Sequence, residues 1–204
     1  AGLLTRQSGK VVELLKGRFF MDFREKIKQK KAVVSVIGLG YVGLPLAFLF
    51  AENGYDTVGL DIDDKKVAIL KSKKSYIKHL RYEDFKNLSS FEPSCDFSKL
   101  SNCDCVIICV PTPLTISKEP DMSFIIKTSE VIEKYLHKGQ LIVLESTTYP
   151  GTTTEIVKPI LERTGLVAGD DFYLAFSPER EDPGNKNYTT KTIPKVVGGM
   201  NKSS

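Results

Sequence analysis

No apolar run in this chain reaches the ~20 residues that a membrane-spanning helix needs. The runs at residues 33–37 and 105–110 have the length of strands. Neither Leu3-Leu4 nor Val11-Val12 is long enough for the apolar region of a secretory signal. Histidine is scarce, at two residues, and cysteine is held to four. Cys103 and Cys105 stand too close for the usual zinc-knuckle spacing, so no metal centre is expected. A strong charge of one sign is also missing. A net charge of +4 over 204 residues does not argue for a nucleic-acid partner, and the basic stretch 24–31 reads as a solvated helix face. What remains is a globular chain, 41% hydrophobic and 26% charged, with enough apolar residues to bury a core. Cys95, Cys103, Cys105 and Cys109 read as reduced thiols packed as small hydrophobes, which points to a cytoplasmic setting with no membrane partner.

Residues 1–20 have no clear period and are expected to be a leader or an added sequence, with Met21 the natural start. Residues 21–204 read as one domain. A polar helical stretch leads to Ala32, and from there strand, turn and helix recur. Val33-Val34-Ser35-Val36-Ile37 is β-branched, as expected of a parallel strand buried on both faces. A helix follows over 41–53, with Leu46, Leu49 and Phe50 at i, i+3 and i+4 and Gly54 as its stop. The second strand is 56–61, with a lysine-rich helix over 64–72. Residues 76–100 are less regular and predict a short helix and a weak strand. Strands at 105–110, 141–144 and 172–176 alternate with helices at 123–136 and 153–163. This alternation predicts an α/β fold: a Rossmann-type, doubly wound, mostly parallel sheet with helices on both faces.

Between the first strand and its helix lies Gly38-Leu39-Gly40-Tyr41-Val42-Gly43. A lone GxGxxG is weak evidence, but this one has a buried strand before it, a helix after it and an acid at the end of the next strand. Gly38 permits the tight turn, Gly40 lets backbone approach a pyrophosphate, and Gly43 lets the helix pack closely. The helix N-terminus offers N–H groups to phosphate. Asp61 follows Gly38 at about the 20-residue spacing expected of a ribose-binding acid. Its charge would repel a 2′-phosphate, so NAD is favoured over NADP.

In such sheets the ligand lies beyond the carboxyl ends of the strands. Three further strand ends carry polar text: Val110-Pro111-Thr112-Pro113, Glu145-Ser146-Thr147-Thr148-Tyr149-Pro150-Gly151, and Ser177-Pro178-Glu179-Arg180-Glu181. Each alone is ordinary turn chemistry. At successive strand ends they are expected to converge on one crevice.

With the glycine loop, these motifs in order resemble the nucleotide-sugar 6-dehydrogenase family, which includes the UDP-glucose, GDP-mannose and UDP-N-acetylhexosamine enzymes. The resemblance runs from about Met21 to the C-terminus. It implies oxidation of a sugar C6 alcohol to a carboxylate with two NAD, through an aldehyde, a cysteine thiohemiacetal and a thioester. It implies that Gly38, Leu39, Gly40, Tyr41, Val42 and Gly43 hold the pyrophosphate. Asp61 and Lys66 serve the adenosine half, and Val110, Pro111 and Thr112 line the groove. Ser146 and Thr147 approach the nicotinamide, with Thr147 also placing a water or the reacting oxygen. Glu179 is the implied general base for thioester hydrolysis. Glu179, Arg180 and Glu181 are implied substrate contacts, and Glu181 a cofactor contact as well.

The text after Ser177-Pro178-Glu179 departs from the UDP-glucose branch. With residues 145–151 it is closer to the UDP-N-acetylhexosamine branch, which makes UDP-N-acetylglucosamine the expected substrate and polysaccharide biosynthesis the expected setting. The family's nucleophilic cysteine sits in a glycine-rich loop before Pro-Lys-Asp. No cysteine here has that setting, and the family's central and C-terminal domains have no counterpart in these residues. The chain is therefore expected to bind NAD without completing the reaction, the full-length enzyme being a homo-oligomer. Two other readings stand beside this one: a non-catalytic dinucleotide-sensing module, and the Rossmann half of another β-hydroxyacid-type dehydrogenase.

Overall fold

The computed structural model describes residues 23–78, 80–84, 88–179 and 193–204. The expectations for residues 1–20, Met21, Arg180 and Glu181 lie outside the described residues. The helices are α1 (Phe23–Lys28), α2 (Gly43–Glu52), α3 (Asp64–Lys71), α4 (Ser123–Glu133) and α5 (Lys158–Leu161). The strands are β1 (Val34–Ile37), β2 (Thr57–Leu60), β3 (Phe91–Ser94), β4 (Cys105–Ile108), β5 (Leu141–Leu144), β6 (Tyr173–Phe176) and β7 (Gly198–Gly199). They form one sheet in the order β3-β2-β1-β4-β5-β6-β7. All neighbours are parallel except β6 and β7.

The chain winds outward from β1 to β3, then returns to lay β4 against the other side of β1. The switch point of the sheet therefore lies between β1 and β4, where a crevice opens at the carboxyl ends of the strands. Register brings those ends level, since Ile37 pairs with both Leu60 and Ile108, Ile108 with Leu144, and Leu144 with Phe176. Every loop that follows a strand from β1 to β6 thus starts along one edge.

The core lies in two layers, one on each face of the sheet. Val34, Val36, Cys105 and Ile107 face α2, whereas Ile37, Val106 and Ile108 face Ile125 and Ile132 of α4 and Leu161 of α5. Phe48 of α2 is fully buried, with the rings of Phe91 and Tyr82 edge-on at 5.1 and 5.3 Å. Burying a side chain of this kind contributes ~1.5–3 kcal/mol. Pro93 lies in β3, which pairs only with β2, and an edge strand tolerates its missing N–H.

Three elements differ from the sequence reading. Leu46 of α2 is buried as expected, but Leu49 and Phe50 are only half-buried, and the buried face also holds Leu44, Ala47, Phe48 and Ala51. This helix is apolar on every side, so periodicity did not single out its inner face, and the small Ala47 and Ala51 are fully buried there. The expected helix over 153–163 is instead a π-helical turn (Thr152–Val157), then α5, then a 3-10 turn (Glu162–Thr164). Pro159 lacks an N–H and crowds the carbonyl four residues earlier, which widens the preceding turn. The Thr152 and Thr154 hydroxyls bond the Tyr149 and Gly151 carbonyls and compete with a regular ladder. The third element is β7, which consists of two glycines, poor strand formers that carry no periodic signal.

Candidate functional site

A groove of about 750 Å³ opens along the carboxyl edge across the switch point. Its walls include Gly38, Gly40, Tyr41, Val42, Asp61, Lys66, Val110, Pro111, Thr112, Ser146, Thr147 and Glu179. Four separate strand-end motifs thus meet in one cavity. Leu39 and Gly43 do not line it, because both are buried beneath the loop.

The three glycines of the loop meet different surroundings. Gly38 has φ +92°, and a Cβ there would stand 2.7 Å from the Cys109 carbonyl oxygen. A Cβ on Gly43 would overlap the Gly38 carbonyl oxygen. At Gly40 a Cβ would have no heavy atom within 4 Å, and its φ lies outside the left-handed region. Neither backbone conformation nor packing among the described residues requires glycine at position 40. A group that entered the groove and pressed on the backbone would require it. Leu44 N–H donates to the Gly40 carbonyl at 3.1 Å, so helical turns begin at this point of the loop.

Asp61 sits at the end of β2 and is buried. One carboxylate oxygen accepts the Leu39 N–H at 2.9 Å, and the other accepts the Asp63 N–H at 2.9 Å. A carboxylate has roughly four acceptor positions, which leaves room for a vicinal diol. The Lys66 ammonium lies 3.6 Å from Asp61. It is placed there by α3, whose first turn is capped by Asp63, with Oδ1 accepting from Lys65 and Lys66 N–H at 3.0 and 3.3 Å.

Beneath this corner, the Tyr76 hydroxyl donates to the Leu39 carbonyl. The Lys66 ammonium stands 5.9 Å from the centre of the Tyr76 ring. Burial, and then the charges of Asp61 and Asp63, push the Tyr76 phenol well above its ordinary pKa, so it stays a donor.

The far end of the groove is laced across β4 and β5. Ser146 Oγ donates to the Val110 carbonyl at 2.8 Å, and Thr112 Oγ1 to the Thr147 carbonyl at 2.5 Å. Thr147 is exposed and Glu179 half-buried, and both line the cavity. Glu145 is buried and paired with Lys195, which reaches in from the segment before β7.

The sequence reading missed several lining residues, above all Phe124, Lys127, Thr128 and Val131 of α4, and Ile62 and Phe97. The α4 set recurs at helical spacing, one face round from the core stripe of Ile125, Ser129 and Ile132. Its mixed polarity concealed it from a search for apolar periodicity.

The sheet order and this groove define a dinucleotide-binding Rossmann domain. Residues 32–204 match the model of the UDP-glucose/GDP-mannose dehydrogenase family, NAD binding domain. The chain belongs to that family, and the matched part is its NAD-binding domain. It is 40% identical over 168 residues to protein CapL of Staphylococcus aureus, a match covering 82% of this chain and 39% of the relative. It is 39% identical over 171 residues to UDP-N-acetyl-D-glucosamine 6-dehydrogenase of Pseudomonas aeruginosa, covering 83% and 40%. The crystal structure of NDP-N-acetyl-D-galactosaminuronic acid dehydrogenase from Methanosarcina mazei superposes with a TM-score of 0.77 at 34% identity, covering 89% of this chain and 42% of that one. The chain thus spans about two fifths of the length of the curated relatives it matches. Among the described residues, no helix is long and apolar enough to cross a membrane.

Proposed function

We propose that this chain is the cofactor half of a nucleotide-sugar 6-dehydrogenase that oxidises a UDP-N-acetylated hexosamine, with UDP-N-acetylglucosamine the first choice. The convergence of the four strand-end motifs on one groove carries the reading. A glycine loop alone would support any dinucleotide protein. Thr147 and a half-buried carboxylate at Glu179 across the same groove suit a site where chemistry follows binding.

The backbone of residues 38–43 and the N-terminal turn of α2 would hold the pyrophosphate, with Gly40 admitting its close approach. Asp61 would accept the hydroxyls of the adenosine ribose, with Lys66 beside it. Val110, Pro111 and Thr112 would line the passage towards the nicotinamide, and Ser146 and Thr147 its far side. Glu179 would act as general base towards a water, and Arg180 and Glu181 would contact substrate or cofactor. Bound in this groove, NAD would serve as the hydride acceptor.

Cys103 and Cys105 do not suit the covalent step, because burial pushes both thiols up to about 12. The first hydride transfer needs no thiol, but the chain spans about two fifths of its relatives' length, so these 204 residues alone are expected to bind NAD and to form no NADH from UDP-N-acetylglucosamine. Calorimetry tests the cofactor reading. NAD should bind at least tenfold more tightly than NADP, and Asp61→Asn should narrow that gap. A preference for NADP, or no heat with NAD, would refute it. NADH production by the 204-residue chain would refute its catalytic incompleteness.

A further inference from the structure

Glu145 opens the strand-end motif of residues 145–151, but its ion pair with Lys195, which belongs to none of the motifs, has been given no role above. Glu145 is the first residue after β5, and its N–H donates to the Ile108 carbonyl at 2.8 Å, so its backbone is fixed at the sheet edge. Its side chain is 4% exposed, and the residue lines the groove. Lys195 stands fifty residues later in the chain and is 23% exposed. It is not among the groove-lining residues.

If Asp61 on β2 takes one ribose and the loop before α2 takes the pyrophosphate, the other nucleoside must lie beyond β4 and β5. This step rests on the NAD reading above. Glu145 is then the buried carboxylate at the nicotinamide end. The nicotinamide ring is cationic in NAD and neutral in NADH. A carboxylate in a poorly solvated wall favours the cationic ring, and an ammonium paired to that carboxylate reduces the preference.

We infer that the Glu145–Lys195 pair sets the relative affinity of this groove for oxidised and reduced cofactor, with Lys195 as the positioning and neutralising partner. Removing either member shifts the charge that the ring meets, in opposite directions. Glu179, another carboxylate that lines the groove, is unchanged in every variant below.

The test is the ratio of Kd for NADH to Kd for NAD, measured by titration calorimetry on the 204-residue chain. Lys195→Met, which keeps an apolar stem and removes the charge, should raise that ratio at least threefold. Glu145→Gln should lower it at least threefold, and the double variant should return to within twofold of the parent. ADP-ribose, which lacks the ring, reports on local damage and should bind all four proteins within twofold. Ratios that stay within twofold in both single variants would overturn the inference. So would losses for ADP-ribose as large as those for NAD, since the pair would then be structural only. Should Lys195→Met fail to fold, Glu145→Gln against the double variant carries the same comparison. Failure of the parent to bind NAD or NADH would instead overturn the cofactor reading on which the inference rests.

Discussion

Gly40→Ala should separate cofactor binding from folding. The new methyl would meet no heavy atom within 4 Å, and the backbone at Gly40 is not in the left-handed region. In such a position, replacing glycine by alanine stabilises by ~0.4–1 kcal/mol, through lost freedom of the unfolded chain. For a chain of this size, 1 kcal/mol is worth about 2–4 °C in melting temperature. The unliganded variant should thus melt at the parent temperature or up to about 4 °C above it.

Binding should behave in the opposite way. If Gly40 is where a pyrophosphate presses on the backbone, a methyl there holds the phosphate off the loop. Losing one charge-assisted hydrogen bond costs ~1.5–3 kcal/mol, or roughly 10- to 150-fold in affinity. Gly43→Ala provides the contrast, because its methyl would overlap the Gly38 carbonyl oxygen. Such overpacking costs ~1–3 kcal/mol or more, so this variant should melt lower before any ligand is added. Thermal unfolding without ligand, followed by NAD calorimetry, reads both effects. An unchanged NAD affinity for Gly40→Ala would refute the argument, as would a melting temperature depressed as far as that of Gly43→Ala.

Two other outcomes follow from buried groups. Tyr76→Phe strands the Leu39 carbonyl without its donor, which should cost ~1–3 kcal/mol in urea unfolding at pH 8. Burial first, then Asp61 and Asp63, raise the folded phenol above its unfolded value near 10. The stability it contributes is therefore complete below about pH 10 and lost as pH rises beyond. The gap between parent and Tyr76→Phe should narrow from pH 10 to 11.5, and a constant or widening gap would contradict this. The cysteines should divide by burial. At pH 8, iodoacetamide should label exposed Cys95, while Cys103 and Cys105, pushed up to about 12, hold only ~1 thiolate in 10⁴ and react after denaturation. Mass spectrometry showing fast labelling of either buried thiol in the folded chain would reject their packing.

What the sequence disclosed and what it concealed divide by distance along the chain. The turn at Gly38 and the start of α2 are settled within six residues, and the acid at Asp61 by one strand–helix unit. Such features follow from local sterics and from the level ends of parallel strands. The contacts that finish the site do not. Tyr76 reaches the Leu39 carbonyl across 37 residues, and Lys195 reaches Glu145 across 50. No spacing rule links those pairs, because sheet order and irregular segments bring them together. The wall built by α4 was hidden for another reason, since a stripe holding Phe124, Lys127, Thr128 and Val131 is neither an apolar face nor a solvated one.

Asp61 shows how closely binding and folding are joined here. It receives the Leu39 N–H, and so helps to build the glycine loop as well as facing the groove. Lys66 is held beside it by the Asp63 cap and lies near the ring of Tyr76, which in turn bonds the carbonyl of that same Leu39. The acid, the lysine, the phenol and the loop form one closed set of contacts. Removing Asp61 therefore leaves a buried N–H unpartnered and releases the loop, so a loss of NAD affinity in that variant mixes two causes. Selectivity between NAD and NADP is less exposed to this problem than affinity, because loosening the loop would weaken both cofactors, whereas on the proposed reading the charge at Asp61 would separate them. Gly40 lies outside the closed set, which makes its methyl the cleaner probe of where the pyrophosphate rests.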